Sequence, residues 1–206
     1  LCATAVGVVY VYSAREGFRP LAELQRRFGA AEAAIDWRLS PVNCGGENCV
    51  ALLSSSGRVV LAGPDGRLRP QLWRGLVLGR GEPLPLVSIS AGRPFLRKLE
   101  DPLGKWSDRP LGTASAWPGV ERDSLLCCQG EHVALAHPRT GLWLSPDSGR
   151  SFEKVAGCNN VSAVSFATLG SRPCLFAATS TLEPALGIVL VDVQSGRAER
   201  IARIDT

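Results

Sequence analysis

The octapeptide SPDSGRSF (Ser145–Phe152) decides the fold of this chain, and it lies between two strand-like runs. Asp147 can accept backbone N–H hydrogen bonds within a turn, and Gly149 can adopt the positive φ that a tight hairpin needs. Phe152 can fold back onto the hairpin as an apolar plug. The octapeptide therefore predicts a β-hairpin.

The order of features in this hairpin, an apolar strand, a glycine turn and a second apolar strand, recurs along the chain. The turn glycines are Gly17, Gly66, Gly104, Gly149 and Gly196, with spacings of 49, 38, 45 and 47 residues. Hairpins that recur every ~40–50 residues are typical of β-propellers, in which each repeat forms one four-stranded blade. Strand-like sequence between the hairpins is sufficient to complete most of these sheets.

The sequence thus predicts an all-β fold in a single domain. We expect a β-propeller of about four to five blades, each a four-stranded antiparallel meander, or a fragment of a larger propeller. The predicted units share the hairpin pattern and span about 1–21, 35–75, 76–112, 120–157 and 158–204. The first unit begins at its hairpin, so it is an incomplete blade or the chain belongs to a larger one.

One segment, at about 21–34, predicts a short helical insertion between the first two units. It is rich in Ala, Glu, Gln and Arg, and it has Leu21, Leu24 and Phe28 at helical spacing. Gly29 ends or interrupts the predicted helix. We expect this helix to cover apolar blade edges, with docking of a partner as the alternative.

The octapeptide resembles the Asp-box, or BNR repeat, whose pattern is Ser/Thr-x-Asp-x-Gly-x-Ser/Thr-aromatic. The matching residues are Ser145, Asp147, Gly149, Ser151 and Phe152. The resemblance implies a β-propeller, because the box occupies the turn between the third and fourth strands of a blade. It also implies that these residues are structural and lie on the outer rim. Asp-box propellers include sialidases, sorting receptors and photosystem assembly factors, so the box itself implies no single activity.

The seven cysteines are more than a typical cytosolic domain of this size carries. They are either small buried apolar residues or several disulfides with one cysteine left over. Cys44 and Cys49 can form a disulfide if they flank a turn, whereas the adjacent Cys127 and Cys128 would point to opposite faces of a strand. The cysteine count favours a secreted or periplasmic location over a cytoplasmic one and leaves the redox compartment open.

A sialidase-like active site would need several arginines, a tyrosine with a glutamate partner and an acid/base aspartate. The chain has two tyrosines, Tyr10 and Tyr12, both in the first hairpin with Glu16 nearby. The segment Phe18-Arg19-Pro20 lacks the isoleucine of the sialidase Phe/Tyr-Arg-Ile-Pro motif. We predict no catalytic residues, and the sequence favours a protein that is not an enzyme.

The only histidines, His132 and His137, lie five residues apart, so on one strand they face opposite sides. This arrangement makes a poor metal site, although Cys127 and Cys128 precede the histidines by one strand. No phosphate-binding glycine loop is present. The sequence therefore predicts neither a metal site nor a cofactor.

The net charge of +4 comes mostly from arginines that are scattered singly, such as Arg58, Arg67 and Arg93. No basic run alternates with aromatic residues, so we expect solvated arginines and no nucleic acid. The apolar segment 3–12 is too short to span a membrane. We predict a non-catalytic β-propeller interaction or scaffold module, a domain or subunit of a larger assembly, with a protein partner. The alternative is a glycan-active hydrolase of the sialidase type or a glycan-binding propeller.

Overall fold

The chain folds into nineteen strands and two short helices within the described residues of the computed structural model. These residues are 2–3, 8–13, 17–33, 36–44, 47–91, 93–99, 106–111, 119–179 and 187–203. The all-β prediction is confirmed. None of the helices among these residues has the length and hydrophobicity that crossing a bilayer requires.

The strands form antiparallel meanders that follow one another along the chain. Meander A comprises β1 (Cys2–Ala3), β2 (Val8–Ser13) and β3 (Gly17–Glu23). Meander B comprises β4 (Trp37–Cys44), β5 (Glu47–Ser54), β6 (Arg58–Ala62) and β7 (Leu68–Leu78). Meander C comprises the end of β7, then β9 (Pro85–Ser90), β10 (Arg93–Leu99) and β11 (Trp106–Pro110).

Strand β7 belongs to two meanders, which together make one seven-stranded sheet. Its first half pairs with β6, as in the pair Val60–Pro70, and its second half pairs with β9, as in the pair Val77–Val87. The register shifts within each of these pairings, between Arg58 and Val60 for β6–β7 and between Gly75 and Val77 for β7–β9.

Meander D comprises β12 (Leu125–Gln129), β13 (His132–His137), β14 (Gly141–Ser145) and β15 (Glu153–Lys154). The short strand β8 (Arg80–Glu82) pairs in parallel with β12. Meander E comprises β16 (Val161–Leu169), β17 (Arg172–Thr179), β18 (Gly187–Asp192) and β19 (Ala198–Arg203). The first strands of meanders B, D and E lie close together, since β8 contacts β4, β12 and β16.

The core consists of apolar layers between neighbouring meanders. Side chains of one strand alternate between two layers, as the two-residue period of a strand requires. On β12, Cys127 packs with meander E and Cys128 packs with meander C; on β13, Ala134 and Leu135 divide in the same way. The prediction that the two adjacent cysteines point to opposite faces is confirmed.

The helical insertion begins later than the sequence predicts, and it is broken. Strand β3 continues through Glu23, because Ala22 pairs with Val9 of β2, and only then does α1 (Leu24–Phe28) begin. Gly29 separates α1 from α2 (Ala30–Ala33). Strand pairing in meander A therefore overrides the helical propensity of the first residues of the segment.

The cysteines in the core are buried free thiols, namely Cys49, Cys127, Cys128, Cys158 and Cys174. In the β4–β5 pairing, Cys49 lies opposite Val42 and Cys44 lies opposite Glu47. The side chain of Cys44 lies outside the described residues. Cys49 is a free thiol in this structure, so the predicted Cys44–Cys49 disulfide is absent from it. Intact-mass measurement with and without reductant tests whether the protein forms it.

Candidate functional site

The turn between β14 and β15 is held by its own side chains. Ser145 Oγ accepts the Gly149 N–H at 2.7 Å and donates to Asp147 Oδ1 at 2.8 Å. Ser151 donates its N–H to Asp147 Oδ1 at 2.9 Å and its hydroxyl to Oδ2 at 2.7 Å. Gly149 has a φ of +84°, and a Cβ at this position would lie 2.7 Å from Leu111 Cδ2 of the preceding meander. The turn therefore requires glycine both for its backbone conformation and for its packing.

A second set of contacts anchors this turn to meander C. The buried Lys98 donates from Nζ to the Gly130 carbonyl at 2.7 Å and to Ser148 Oγ at 2.8 Å. Ser148 Oγ in turn donates to the carboxylate of Glu131. Phe152 is buried in the apolar layer between meanders C and D. The serine and aspartate side chains of the octapeptide, and Phe152, therefore make their contacts within the fold.

The carboxyl groups near this turn are held in their charged form. Partial burial disfavours the charge on Asp147, but the hydrogen bonds from Ser151 and Ser145 outweigh it and lower the pKa of the carboxyl. The Ser148 hydroxyl and the charge of Lys98 lower the pKa of Glu131. Both groups are therefore stable as carboxylates, and neither has the raised pKa that is typical of a general acid.

The turn between β6 and β7 occupies the equivalent place in meander B. Asp65 Oδ1 accepts the Arg67 N–H at 3.0 Å, and Gly66 has a φ of +75°. A Cβ on Gly66 would lie 2.2 Å from the Leu21 carbonyl oxygen of β3. This turn therefore packs on meander A just as the Asp147 turn packs on meander C.

A groove of about 760 Å³ lies between this turn and meander A, and we call it the rim groove. Residues 20–23 of β3 form one wall, and residues 65–69 form the other. Arg26 and Arg27 of α1 border it. The fold therefore brings the end of β3, the helical insertion and the start of β7 to one surface.

Both strands that form the groove walls expose a large apolar side chain. Phe18 on β3 is 66% exposed and Leu72 on β7 is fully exposed, whereas Ile89, Leu169 and Ile201 expose about half of their surface. Isolated exposed apolar residues are common, but two on the strands that form the walls of one groove favour a binding surface.

A second cavity, of about 410 Å³, lies among the inner strands at the opposite end from the Asp147 turn. Arg38, Arg80, Asp123 and Ser162 are among its lining residues. Arg38 donates to the Arg122 carbonyl at 2.8 Å and to Asp123 Oδ1 at 3.2 Å, so its guanidinium is already bound. Among the described residues, no hydrogen bond or ion pair involves the side chain of Arg80.

The residues considered for sialidase-like chemistry are not gathered at this cavity. Tyr10 lies on β2 of meander A, and Pro20 lies on β3 at the rim groove. The side chain of Tyr12 and the whole of Glu16 lie outside the described residues. Within the described lining, the only arginines are Arg38 and Arg80, and tyrosine is absent.

The two histidines of meander D lie at opposite ends of one strand. His137 is buried, and its Nδ1 accepts the Arg139 N–H at 3.1 Å. His132 is at the other end of β13. Burial raises the pKa of the Cys127 and Cys128 thiols. Within the described residues, no group of three or more His, Cys, Asp or Glu side chains could hold a metal ion.

The rim groove is not predicted by the sequence, in which its arginines are interpreted as isolated surface charges. The fold brings Arg26 and Arg27 together with Arg67 and Arg69. Two signals were present, the Arg26–Arg27 pair and the alternation of Arg67 with Arg69 on a predicted strand. The contact that unites them lies between meanders, and local spacing does not encode it.

Comparison with known proteins supports the fold through structure alone. No protein-family model and no curated protein sequence matches the chain. TolB from Acinetobacter baumannii superposes with a TM-score of 0.55 at 10% identity, over 97% of this chain and 49% of that one. Dihydro-heme d1 dehydrogenase NirN in complex with DHE gives a TM-score of 0.51 at 16% identity, over 100% of this chain and 45% of that one.

Both of these structures are β-propellers, which confirms the predicted fold class. The chain spans about half the length of each of them. At these identities the likeness establishes the fold alone. The chain is therefore an all-β protein with the β-propeller fold.

Proposed function

We propose that this chain is a non-catalytic β-propeller module that binds a protein partner at the rim groove, as a domain or subunit of a larger assembly. One observation carries the proposal. The two most exposed large apolar side chains in the described part of the chain, Phe18 and Leu72, lie on the two strands that form the groove walls. Apolar side chains within a polar surround are typical of protein–protein contacts.

We also infer that the octapeptide Ser145–Phe152 is an Asp-box with a purely structural role. Its hydroxyl and carboxylate groups bond to one another, and Phe152 is buried. Because the serine and aspartate side chains of this turn are bonded within the fold, we expect a partner to bind elsewhere. A location outside the cytoplasm remains a prediction from the cysteine count.

The glycan-active alternative has less support. Its arginines would have to converge at the inner cavity, where Arg38 is bound to Asp123. The described lining of this cavity also lacks the tyrosine that would act as the nucleophile.

Co-purification can test the proposed function. A tagged protein is isolated from its source cells beside the double variants Phe18→Ser/Leu72→Ser and Ile89→Ser/Leu169→Ser, and bound proteins are quantified by mass spectrometry. The first variant should deplete the partner by about tenfold, which corresponds to ~1.4 kcal/mol of binding energy. The second variant removes exposed apolar groups away from the groove and should retain it. Equal retention by both variants would exclude the rim groove.

A further inference from the structure

The rim groove carries an excess of positive charge. Four arginines line it, Arg26, Arg27, Arg67 and Arg69, against the two carboxylates Glu23 and Asp65. Asp65 is already engaged in its own turn, where its Oδ2 lies 3.3 Å from Arg67 Nε. By contrast, no hydrogen bond or ion pair in the described part of the chain involves the side chain of Arg26 or Arg27. These two guanidinium groups are available to a ligand.

The fold holds α1 in a fixed position, so Arg26 and Arg27 are presented to the groove. Leu24 is fully buried in the layer between meanders A and B. Phe28 stacks on Trp37 with ring centroids 6.0 Å apart, and the Arg58 guanidinium lies 5.0 Å from the Phe28 centroid. Both ends of this short helix are therefore packed on the sheets. A guanidinium on an anchored backbone loses less freedom on binding than one on a mobile loop.

The walls of the rim groove favour an extended ligand. Strand β3 is the last strand of meander A, and residues 68–70 of β7 pair with β6 on one side. Strands at the edge of a sheet commonly receive an extended peptide alongside them. The volume of about 760 Å³ lies within the ~300–1,000 Å³ that accommodates a small ligand, and so suits a few residues of an extended chain.

We propose that the rim groove binds an extended acidic segment of the partner protein. Its carboxylates bind Arg26 and Arg27, and its apolar side chains contact Phe18 and Leu72. Guanidinium groups bind carboxylates through paired, charge-assisted hydrogen bonds, which gives the site its preference for acidic residues. This inference rests on the proposed function and names the chemistry of the partner.

Fluorescence anisotropy of labelled probes tests the inference. Three decapeptides carry four glutamates, four glutamines or four lysines at the same positions among leucines and serines, and a single-stranded DNA decamer is the fourth probe. The acidic peptide should bind most tightly, and its affinity should fall between ~0.05 and ~0.15 M salt because exposed charges are screened.

Matched variants locate the binding. Arg26→Glu/Arg27→Glu should lower the affinity for the acidic peptide by at least about tenfold, since two attractive charge pairs become repulsive. The control variant Arg93→Glu/Arg172→Glu changes the net charge by the same amount, at exposed arginines away from the groove. It should lower the affinity for the acidic peptide by less than about threefold. An equal loss in both double variants, or tighter binding of the DNA decamer, would overturn the inference.

The same probes separate this inference from the proposed function. If the glutamine peptide binds as tightly as the glutamate peptide and both are lost in Phe18→Ser/Leu72→Ser, the acidic preference is wrong and the groove still binds a protein segment. If the co-purified partner is retained by Phe18→Ser/Leu72→Ser and no peptide responds to any groove variant, both proposals fail.

Discussion

At the Asp147 turn, a single carboxylate accepts the hydrogen bonds that hold the turn closed. Its Oδ1 accepts from the Ser145 hydroxyl and the Ser151 N–H, and its Oδ2 accepts from the Ser151 hydroxyl. Hydrogen bonds to a charged group contribute more than neutral ones. The carboxylate should therefore contribute measurably to stability, and its contribution should depend on pH.

We expect Asp147→Ala to lower the free energy of unfolding by about 2 kcal/mol at neutral pH, because it removes charge-assisted hydrogen bonds from a closed turn. Since the folded-state pKa of Asp147 is lowered, the stabilisation is fully present above the unfolded value of about 4 and is lost as pH falls through the lower folded pKa. Urea unfolding of both proteins from pH 7 down to pH 2.5 measures this difference.

Glu153→Ala is the control for this titration. Glu153 is an exposed carboxylate on the neighbouring β15, and its removal should change stability by less than about 0.5 kcal/mol. A difference between wild type and Asp147→Ala that stays constant across the pH range would contradict the role of the carboxylate.

Among the elements, the turns between the third and fourth strands of meanders B and D share one packing role. In each, a glycine with positive φ approaches the preceding meander, Gly66 at the Leu21 carbonyl and Gly149 at the Leu111 side chain. The turn of meander E differs, because a Cβ on Gly196 would meet nothing within 4 Å. Comparing substitutions at these glycines therefore distinguishes the free-energy cost of the positive φ from that of the contact with the preceding meander.

We predict that Gly66→Ala is more destabilising than Gly196→Ala. Both residues have a similar positive φ, +75° and +66°, so both substitutions incur about 1–2 kcal/mol of backbone strain. Only at Gly66 would the new Cβ also overlap a backbone oxygen, so the β6–β7 turn would have to move. Thermal unfolding of the two variants tests the ranking. Equal losses would show that the turn does not depend on its contact with Leu21.

Sequence patterns predicted those elements whose partners are near in the chain. The hairpin around Asp147 and the strands of meanders D and E follow from short apolar runs bounded by turn residues. The helical insertion was misplaced because pairing of Ala22 with Val9 extends β3 into it. Strand β8 was missed because three residues give no alternation, and its partner β12 lies more than forty residues away. The rim groove was missed for the same reason, since its walls come from different meanders.

For the molecule as a whole, stability comes from apolar layers that join each meander to its neighbours. The layer between C and D unites Val77, Val87 and Leu96 with Leu135 and Phe152. The layer between D and E uses the other face of the same strands, with Ala134 and Leu142 against Leu175. A defect in one layer should therefore affect the two meanders beside it more than distant ones.

Leu135→Ala is expected to lower the free energy of unfolding by about 2–5 kcal/mol, because it opens a cavity in the C–D layer where Leu135 is 1% exposed. Leu169→Ala, at a leucine that is 49% exposed, should change it by less than about 1 kcal/mol. Urea unfolding gives both values. Native-state hydrogen exchange on Leu135→Ala should show faster exchange of the amides in meanders C and D than of those in meander A. Uniform acceleration across all meanders would contradict this expectation. It would mean that the propeller opens as one unit, because a cavity in one layer would then speed amide exchange in every sheet.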